Sequence, residues 1–290
     1  IIVIDNLNTG KKKNVKKNLK KINFSEVDIR DFSTIEDIMK NVDGIFHEAA
    51  LASVQDSFRI PDKFFDVNVK GTENIFKIGK KLGIKVVYAS SSSVYGNPIS
   101  IPIKENDDKN PINPYAKTKL ENDKMAEKYA KNGLKVIGLR YFNVFGPGLR
   151  FDDKRVIPNF ISFAMQGKDI PIYGDGMQTR TFCYISDLIV GMFQVLFSDY
   201  NGEVFNIGNP DGEIGMEALA SLACELFGNN SKPIKVKDVK NVYDKNTDPY
   251  RRCPDIHKIS NLIGFRPEIE LREGLKRTIE WFQFEYTDSK

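Results

Sequence analysis

Through the first half of the chain, short apolar runs alternate with stretches of helical periodicity, and this alternation restricts the fold more than any other feature. Ile1 to Asn6, Asn23 to Asp28, Val42 to His47, Ile84 to Ala89 and Leu134 to Tyr141 read as strands. Between them, Ser33 to Lys40 reads as a short helix capped by Ser33 with Glu36 three residues on, and Pro61 to Leu82 keeps helical periodicity through Gly71. Asn113 and Pro114 open a long helix that Asn132-Gly133 closes. Strands alternating with helices predict an α/β fold with a doubly wound parallel sheet of Rossmann type, whose chemistry lies at the carboxyl ends of its strands.

Two features sharpen that expectation. The first strand ends in an acid, Asp5, and the third runs into the small-residue turn Glu48 to Ser53, where side chains leave room for a ligand. In a dinucleotide-binding fold such an acid follows the glycine-rich turn by about 20 residues, so that turn would precede residue 1. With no initiator Met either, the expectation is a sequence truncated before a first strand and helix. In the strand order 3-2-1-4-5-6 that strand lies between those beginning at Ile1 and Val42.

The second half reads differently. Pro158 to Gln166 is a helix, Ile170 to Tyr173 a short strand, Gly174-Asp175-Gly176 a turn, Ser186 to Leu196 an apolar helix, and Val204 to Ile207 a strand able to rejoin the sheet. Met216 to Phe227, Ile256 to Ile263 and Leu271 to Phe284 complete a smaller region. The expected division is an incomplete dinucleotide-binding domain over 1–142 and a mainly substrate-binding region over 143–290, with 181–208 returning to the first.

Composition excludes several classes. With 290 residues, 41% of them hydrophobic, the chain can bury a large core. Its charge of +4 comes from 43 basic against 39 acidic residues, and the cluster of Lys11, Lys12, Lys13, Lys16, Lys17, Lys20 and Lys21 lacks the interleaved aromatics of a nucleic-acid surface. Cys183, Cys224 and Cys253 are odd in number and far apart, which argues against a disulfide framework and for a reducing cytoplasm. His47 and His257 lack metal-ligand spacing, so no metal is expected. No apolar run reaches the roughly 18 to 20 residues that span a bilayer, so a soluble cytoplasmic protein is expected.

The chemistry centres on Tyr115 and Lys119, four residues apart on one face near a helix start. A neighbouring ammonium lowers a phenol pKa that begins near 10, which makes Tyr115 a candidate base. Ser90 to Ser93 lie at the carboxyl end of the Ile84 strand, where a serine can hydrogen-bond a sugar hydroxyl or a developing ketone beside Tyr115.

With these residues stand Val3-Ile4-Asp5-Asn6, Val27 to Asp31, His47-Glu48-Ala49-Ala50, Asn68 to Thr72, Ser90 to Gly96, Arg140 to Gly148 and Gly174 to Arg180. In that order they closely resemble the extended short-chain dehydrogenase/reductase family, particularly nucleotide-sugar 4-epimerases of the UDP-glucose 4-epimerase type. The resemblance implies that Asp5 and Asn6 hold an adenosine ribose, that Asp28 and Ile29 flank adenine, and that Ala49, Ala50 and Ala52 line the dinucleotide path. It also implies that Asn68 supports the active-site helix, that Lys119 binds the nicotinamide ribose, and that Ser91 and Tyr115 are catalytic. The acid at Asp5 favours NAD, because a carboxylate repels the 2′-phosphate of NADP. Asn143, Tyr173, Arg180 and Arg252 match positions that approach a UDP-sugar substrate, the choice of Arg252 over Arg251 resting on a short alignment. A homodimer is implied as well.

Related dehydratases carry an Asp-Glu pair where this chain has Ser92-Ser93, and related UDP-glucuronate decarboxylases carry Glu in the place of Ser93. Serine cannot replace that carboxylate as an acid or base near neutral pH. The resemblance therefore implies reversible NAD-dependent 4-epimerisation of a UDP-sugar through a 4-keto intermediate. Two alternatives stay open. One is UDP-glucuronate decarboxylation, since Gly174 to Asp187 and Arg251 to Asp255 look decarboxylase-like; the other is a non-catalytic dinucleotide or nucleotide-sugar-binding protein.

Overall fold

The computed structural model describes residues 1–18, 20–236 and 249–287, the side chains of 16, 17, 286 and 287 excepted. By compactness the chain forms two units, one of residues 1–94, 111–140 and 195–205, the other of 95–110, 141–194 and 206–290.

In the first unit, β1 (Ile2–Ile4) and β2 (Asn23–Ser25) pair in parallel, with Ile2 opposite Asn23. Helix α1 (Phe32–Ile38) corrects the expected cap. Asp31, not Ser33, starts it, because the carboxylate accepts from the Thr34 N–H at 3.2 Å, the Thr34 hydroxyl at 2.7 Å and the Ser33 hydroxyl at 3.1 Å. After β3 (Gly44–His47) comes an unforeseen short helix, α2 (Val54–Arg59), capped by the Ser53 hydroxyl. The helix expected from Pro61 to Leu82 is continuous but changes pitch: α3 (Pro61–Phe65), a π-helical turn (Asp66–Lys70) carrying Asn68, then α4 (Gly71–Leu82). A Cβ on Gly71 would sit 2.5 Å from Ile29 Cδ1, so the helix approaches the core there as only glycine permits. Strand β4 (Lys85–Ser91), helix α5 (Pro114–Lys131) and β5 (Val136–Tyr141) follow. The core between sheet and helices is built on Ile35, Ile75, Phe76, Ile78, Val86, Tyr88 and Val136.

Farther along are β6 (Val144–Phe145), α6 (Val156–Met165), β7 (Ile170–Tyr173), β8 (Thr179–Arg180), β9 (Cys183–Tyr184), α7 (Ile185–Phe197) and β10 (Glu203–Ile207). Then come β11 (Ile214–Gly215), α8 (Met216–Phe227), β12 (Pro233–Val236), β13 (Arg251–Arg252), α9 (His257–Ile263) and α10 (Leu271–Thr287). Strand β10 rejoins the sheet as expected, giving the order β10-β5-β4-β3, with β3 and β4 parallel and His47 opposite Tyr88. Strands β1 and β2 form a separate sheet, and among the described residues no strand bridges β1 to β3. The second unit has its own core, in which Phe160, Ile161 and Ile170 pack with Leu219, Leu275 and Ile279. Strand β8 lies between β11, antiparallel, and β13, parallel. The fold is an α/β doubly wound Rossmann type. No described helix is long and apolar enough to cross a membrane.

Candidate active site

Helix α5 begins where the sequence predicts. Asn113 is extended and its Oδ1 accepts the Ala116 N–H at 2.8 Å, while Pro114 occupies the first turn. The four-residue spacing brings the Lys119 ammonium to 6.0 Å from the Tyr115 ring centroid. Lys119 is only 4% exposed, and its Nζ donates to the Ala89 carbonyl at 2.7 Å. That bond ties the helix to the end of β4, two residues before Ser91. The structure separates the four serines by environment. Ser90 is buried with its hydroxyl lacking a described partner, Ser92 and Ser93 are buried, and Ser91 alone is half-exposed. Ser91 Oγ accepts from the Ser93 N–H at 3.2 Å and from the Ser93 hydroxyl at 2.8 Å.

A buried polar hub holds this arrangement. The Asn68 amide accepts the Leu51 N–H at 2.8 Å and donates to the Leu51 carbonyl at 3.0 Å and to Thr118 Oγ1 at 3.0 Å. One side chain thus joins the alanine turn after β3 to the helix carrying Tyr115 and Lys119. Behind it, Thr72 donates its hydroxyl proton to the Asn68 carbonyl at 2.6 Å, and its oxygen meets Asn122 Nδ2 at 3.3 Å and His47 Nε2 at 2.8 Å. Since a hydroxyl has one proton, already given to Asn68, His47 must donate from Nε2 and is the neutral Nε2–H tautomer. Burial, and secondarily the Lys119 charge, push the His47 pKa down to about 3. One turn past Lys119, Asp123 accepts from the Tyr88 hydroxyl and from Arg140 Nε, both at 2.9 Å, clamping α5 to β4 and β5.

The residues expected at a dinucleotide are arranged compatibly. Asp5 accepts the Leu7 N–H at 2.7 Å, and Gly10 passes so close that a Cβ would lie 2.7 Å from Asp5 Oδ2. A glycine-lined cradle therefore holds the carboxylate at the end of β1. Asn6 donates to Asp28 at 2.8 Å, and Arg30, bound to Asp28 through Nε and Nη2, holds that carboxyl well below the usual range. Asp28, Arg30, Asp66 and Asn74 are among the residues lining an open cleft of about 640 Å³. Ile29 instead turns its side chain into the core. Ala49 and Ala52 are exposed and Ala50 half-exposed, leaving the turn after β3 open.

In the second unit, Arg180 and Arg252 are opposed in the β8–β13 register. Arg180 is buried and donates to the backbone carbonyls of Thr179 at 2.8 Å, Tyr250 at 3.0 Å and Pro249 at 2.6 Å. Asn143, with φ of 41°, donates to the Thr181 carbonyl at 2.8 Å. Tyr173 ends β7, half-exposed and on a different sheet. Arg251 is held by Glu213 through paired bonds of 2.8 and 2.6 Å, and that guanidinium keeps Glu213 below its ordinary pKa. Sequence reasoning missed this pair, the His47–Thr72 contact and the Asp123 clamp. The only written trace was the four-residue spacing of Asn68 with Thr72 and of Thr118 with Asn122.

Residues 1–208 match the model of the NAD dependent epimerase/dehydratase family. The chain belongs to that family. NAD is accordingly its cofactor, and the Asp5 cradle and the Tyr115–Lys119 helix fit one. Among similar members, UDP-glucuronic acid decarboxylase 1 of Xenopus tropicalis is 35% identical over 291 residues, covering 98% of this chain. The chain spans about two thirds, 66%, of that protein's length. The UDP-N-acetylglucosamine 4-epimerase of Methanobrevibacter ruminantium, solved with UDP-N-acetylmuramic acid, superposes with a TM-score of 0.90 at 30% identity, covering 98% of this chain and 90% of that one. A dTDP-glucose 4,6-dehydratase of Streptomyces venezuelae, solved with NAD, gives a TM-score of 0.90 at 29% identity, covering 99% and 88%.

Proposed function

We propose that the chain oxidises a UDP-sugar at C4. The observation that carries this reading is Lys119, buried and fixed to Ala89 beside the Tyr115 ring, at the strand end that carries Ser91. Bound NAD supplies a reversible hydride acceptor for the sugar carbon. Tyr115 takes the proton of the C4 hydroxyl, Ser91 donates to the same oxygen as it becomes a carbonyl, and the Lys119 ammonium stabilises negative charge developing between them. Asp5 would hold the adenosine ribose, with Asn6 and Asp28 toward adenine and the alanine turn along the dinucleotide. For the UDP end, Arg252, opposite Arg180 in the β8–β13 register, is the candidate taken over from the resemblance. The first unit is proposed as the dinucleotide-binding part, the second as the substrate-binding part, and the chain as a homodimer.

For the step after oxidation, the similar proteins favour decarboxylation of UDP-glucuronate over the 4-epimerisation expected from Ser92-Ser93, since the decarboxylases are 35% and 36% identical to the chain and the 4-epimerase of equal coverage 30%. The chemistry tolerates Ser93. A C4 ketone stands β to the C6 carboxylate, so the bond to CO₂ breaks with its electron pair passing into the ketone, whose oxygen Ser91 and Tyr115 hold. The resulting enolate then takes a proton at C5, and return of the hydride to C4, with Tyr115 giving its proton back to the oxygen, would leave a UDP-pentose. Epimerisation remains the second reading on one observation: Ser93 stands where related decarboxylases carry Glu, and its hydroxyl is tied to Ser91. Incubation with NAD and, separately, UDP-glucuronate, UDP-glucose and UDP-N-acetylglucosamine tests both. Release of CO₂ with a UDP-pentose supports decarboxylation, a C4 epimer without CO₂ supports the second reading, and conversion of none of them refutes C4 oxidation of these UDP-sugars.

A further inference from the structure

The reaction outlined above uses Ser91 and leaves Ser93 without a part, yet Ser93 is 7% exposed and spends both its backbone N–H and its hydroxyl proton on Ser91 Oγ. A hydroxyl oxygen offers one proton and two lone pairs. With both lone pairs of Ser91 filled from the Ser93 side, its proton is the only hydrogen-bonding capacity it has left. We propose that Ser93 is a positioning residue that makes Ser91 an obligate donor toward the C4 oxygen of the sugar. The inference deepens, and rests on, the role given to Ser91 in C4 oxidation.

The polarity matters because a C4 hydroxyl facing both Ser91 and Tyr115 has two oxygens to which it can give its proton. If Ser91 had an open lone pair, the sugar could donate there, and Tyr115 would compete for the proton it must remove. With Ser91 filled, the C4 proton points to Tyr115 while Ser91 donates to the oxygen, and this is the arrangement the nascent carbonyl needs. Ser93 thus acts on proton direction without touching substrate. A carboxylate at this position has no proton to give when ionised and would accept from Ser91, reversing the pair.

The test compares Ser93→Ala, Ser93→Thr, Ser91→Ala and the Ser91→Ala/Ser93→Ala double variant in the full chain with NAD, using whichever UDP-sugar the wild type converts. Ser93→Ala should lower kcat about five-fold, the worth of one neutral hydrogen bond, with KM unchanged, and Ser93→Thr should restore it to within about two-fold. In the Ser91→Ala background, Ser93→Ala should cost nothing further, because its effect passes through Ser91. A Ser93→Ala enzyme as fast as wild type, or an equal loss in both backgrounds, would overturn the proposal while leaving C4 oxidation standing. A wild-type chain that converts no UDP-sugar would instead refute the reading of the site, and this proposal with it.

Discussion

Replacing His47 by Gln isolates the pH dependence built into the hub behind the active site. His47 is buried, donates from Nε2 to Thr72 at 2.8 Å, and has its pKa pushed down to about 3. In an unfolded chain the same imidazole titrates near 6.5. Because the folded-state value is depressed, its stabilising contribution is complete above about 6.5 and is lost as pH falls toward 3, the unfolded chain taking up a proton that the folded chain refuses. Between pH 7 and pH 5 this linkage amounts to roughly 2 kcal/mol. Gln at this position keeps an amide donor for Thr72 but cannot titrate. Any packing penalty it brings applies equally at both pH values and drops out of the comparison. Urea unfolding of both proteins at pH 7, 6 and 5 should therefore show the wild type losing about 2 kcal/mol more than the variant over that range. Identical pH dependence in the two proteins would refute the buried neutral assignment.

Asp123→Ala removes the shared acceptor of Tyr88 and Arg140 and takes a carboxylate away from a buried guanidinium, so thermal unfolding should show a loss of about 3–5 kcal/mol; a loss below about 1 kcal/mol would mean the clamp holds little. Gly71→Ala forces a Cβ to within 2.5 Å of Ile29 Cδ1 and should cost about 1–3 kcal/mol, part of it recovered by adding Ile29→Val; a neutral substitution would contradict the close approach. Tyr115→Phe should lower turnover at least about 100-fold while NAD binding, followed by fluorescence titration, changes less than about two-fold. Unchanged turnover would remove Tyr115 as the base.

Elements specified by local chemistry were readable in advance. Strand Ile170–Tyr173 and helix Met216–Phe227 match the expectation residue for residue, and α5 starts on its predicted Asn113 cap, because apolar period and cap lie within one short window. Features specified by distant partners were not readable. Asp31 displaced Ser33 as a cap because a carboxylate can satisfy three donors at once, while the two-residue strands β8, β11 and β13 depend on neighbours far along the chain. The site divides in the same way. Tyr115 and Lys119 are written as a four-residue spacing, whereas Asn68 acts through Leu51 and Thr118, 17 and 50 residues away. Arg251 and Arg252 are adjacent in sequence, and it takes Glu213, 38 residues upstream of Arg251, to fix where the Arg251 guanidinium goes.

The reaction that follows oxidation is the least readable part for a related physical reason. Similarity to the decarboxylases runs over 98% of the chain and so weighs mainly on the fold as a whole, and the C4 oxidation proposed above is common to either outcome. Decarboxylation and epimerisation diverge only afterwards, one breaking a carbon–carbon bond and protonating C5, the other turning the ketone over before it is reduced. Position 93 bears on that divergence through a single oxygen, here a hydroxyl given to Ser91. Broad similarity therefore weighs on the shared step, and one side chain weighs on the branch. A decarboxylating chain with Ser93 would have to protonate C5 from water or another side chain, so its product formation should respond to replacing solvent H₂O by D₂O with deuterium appearing at C5. An epimerising chain would leave C5 unlabelled and keep the original hydrogen at C4.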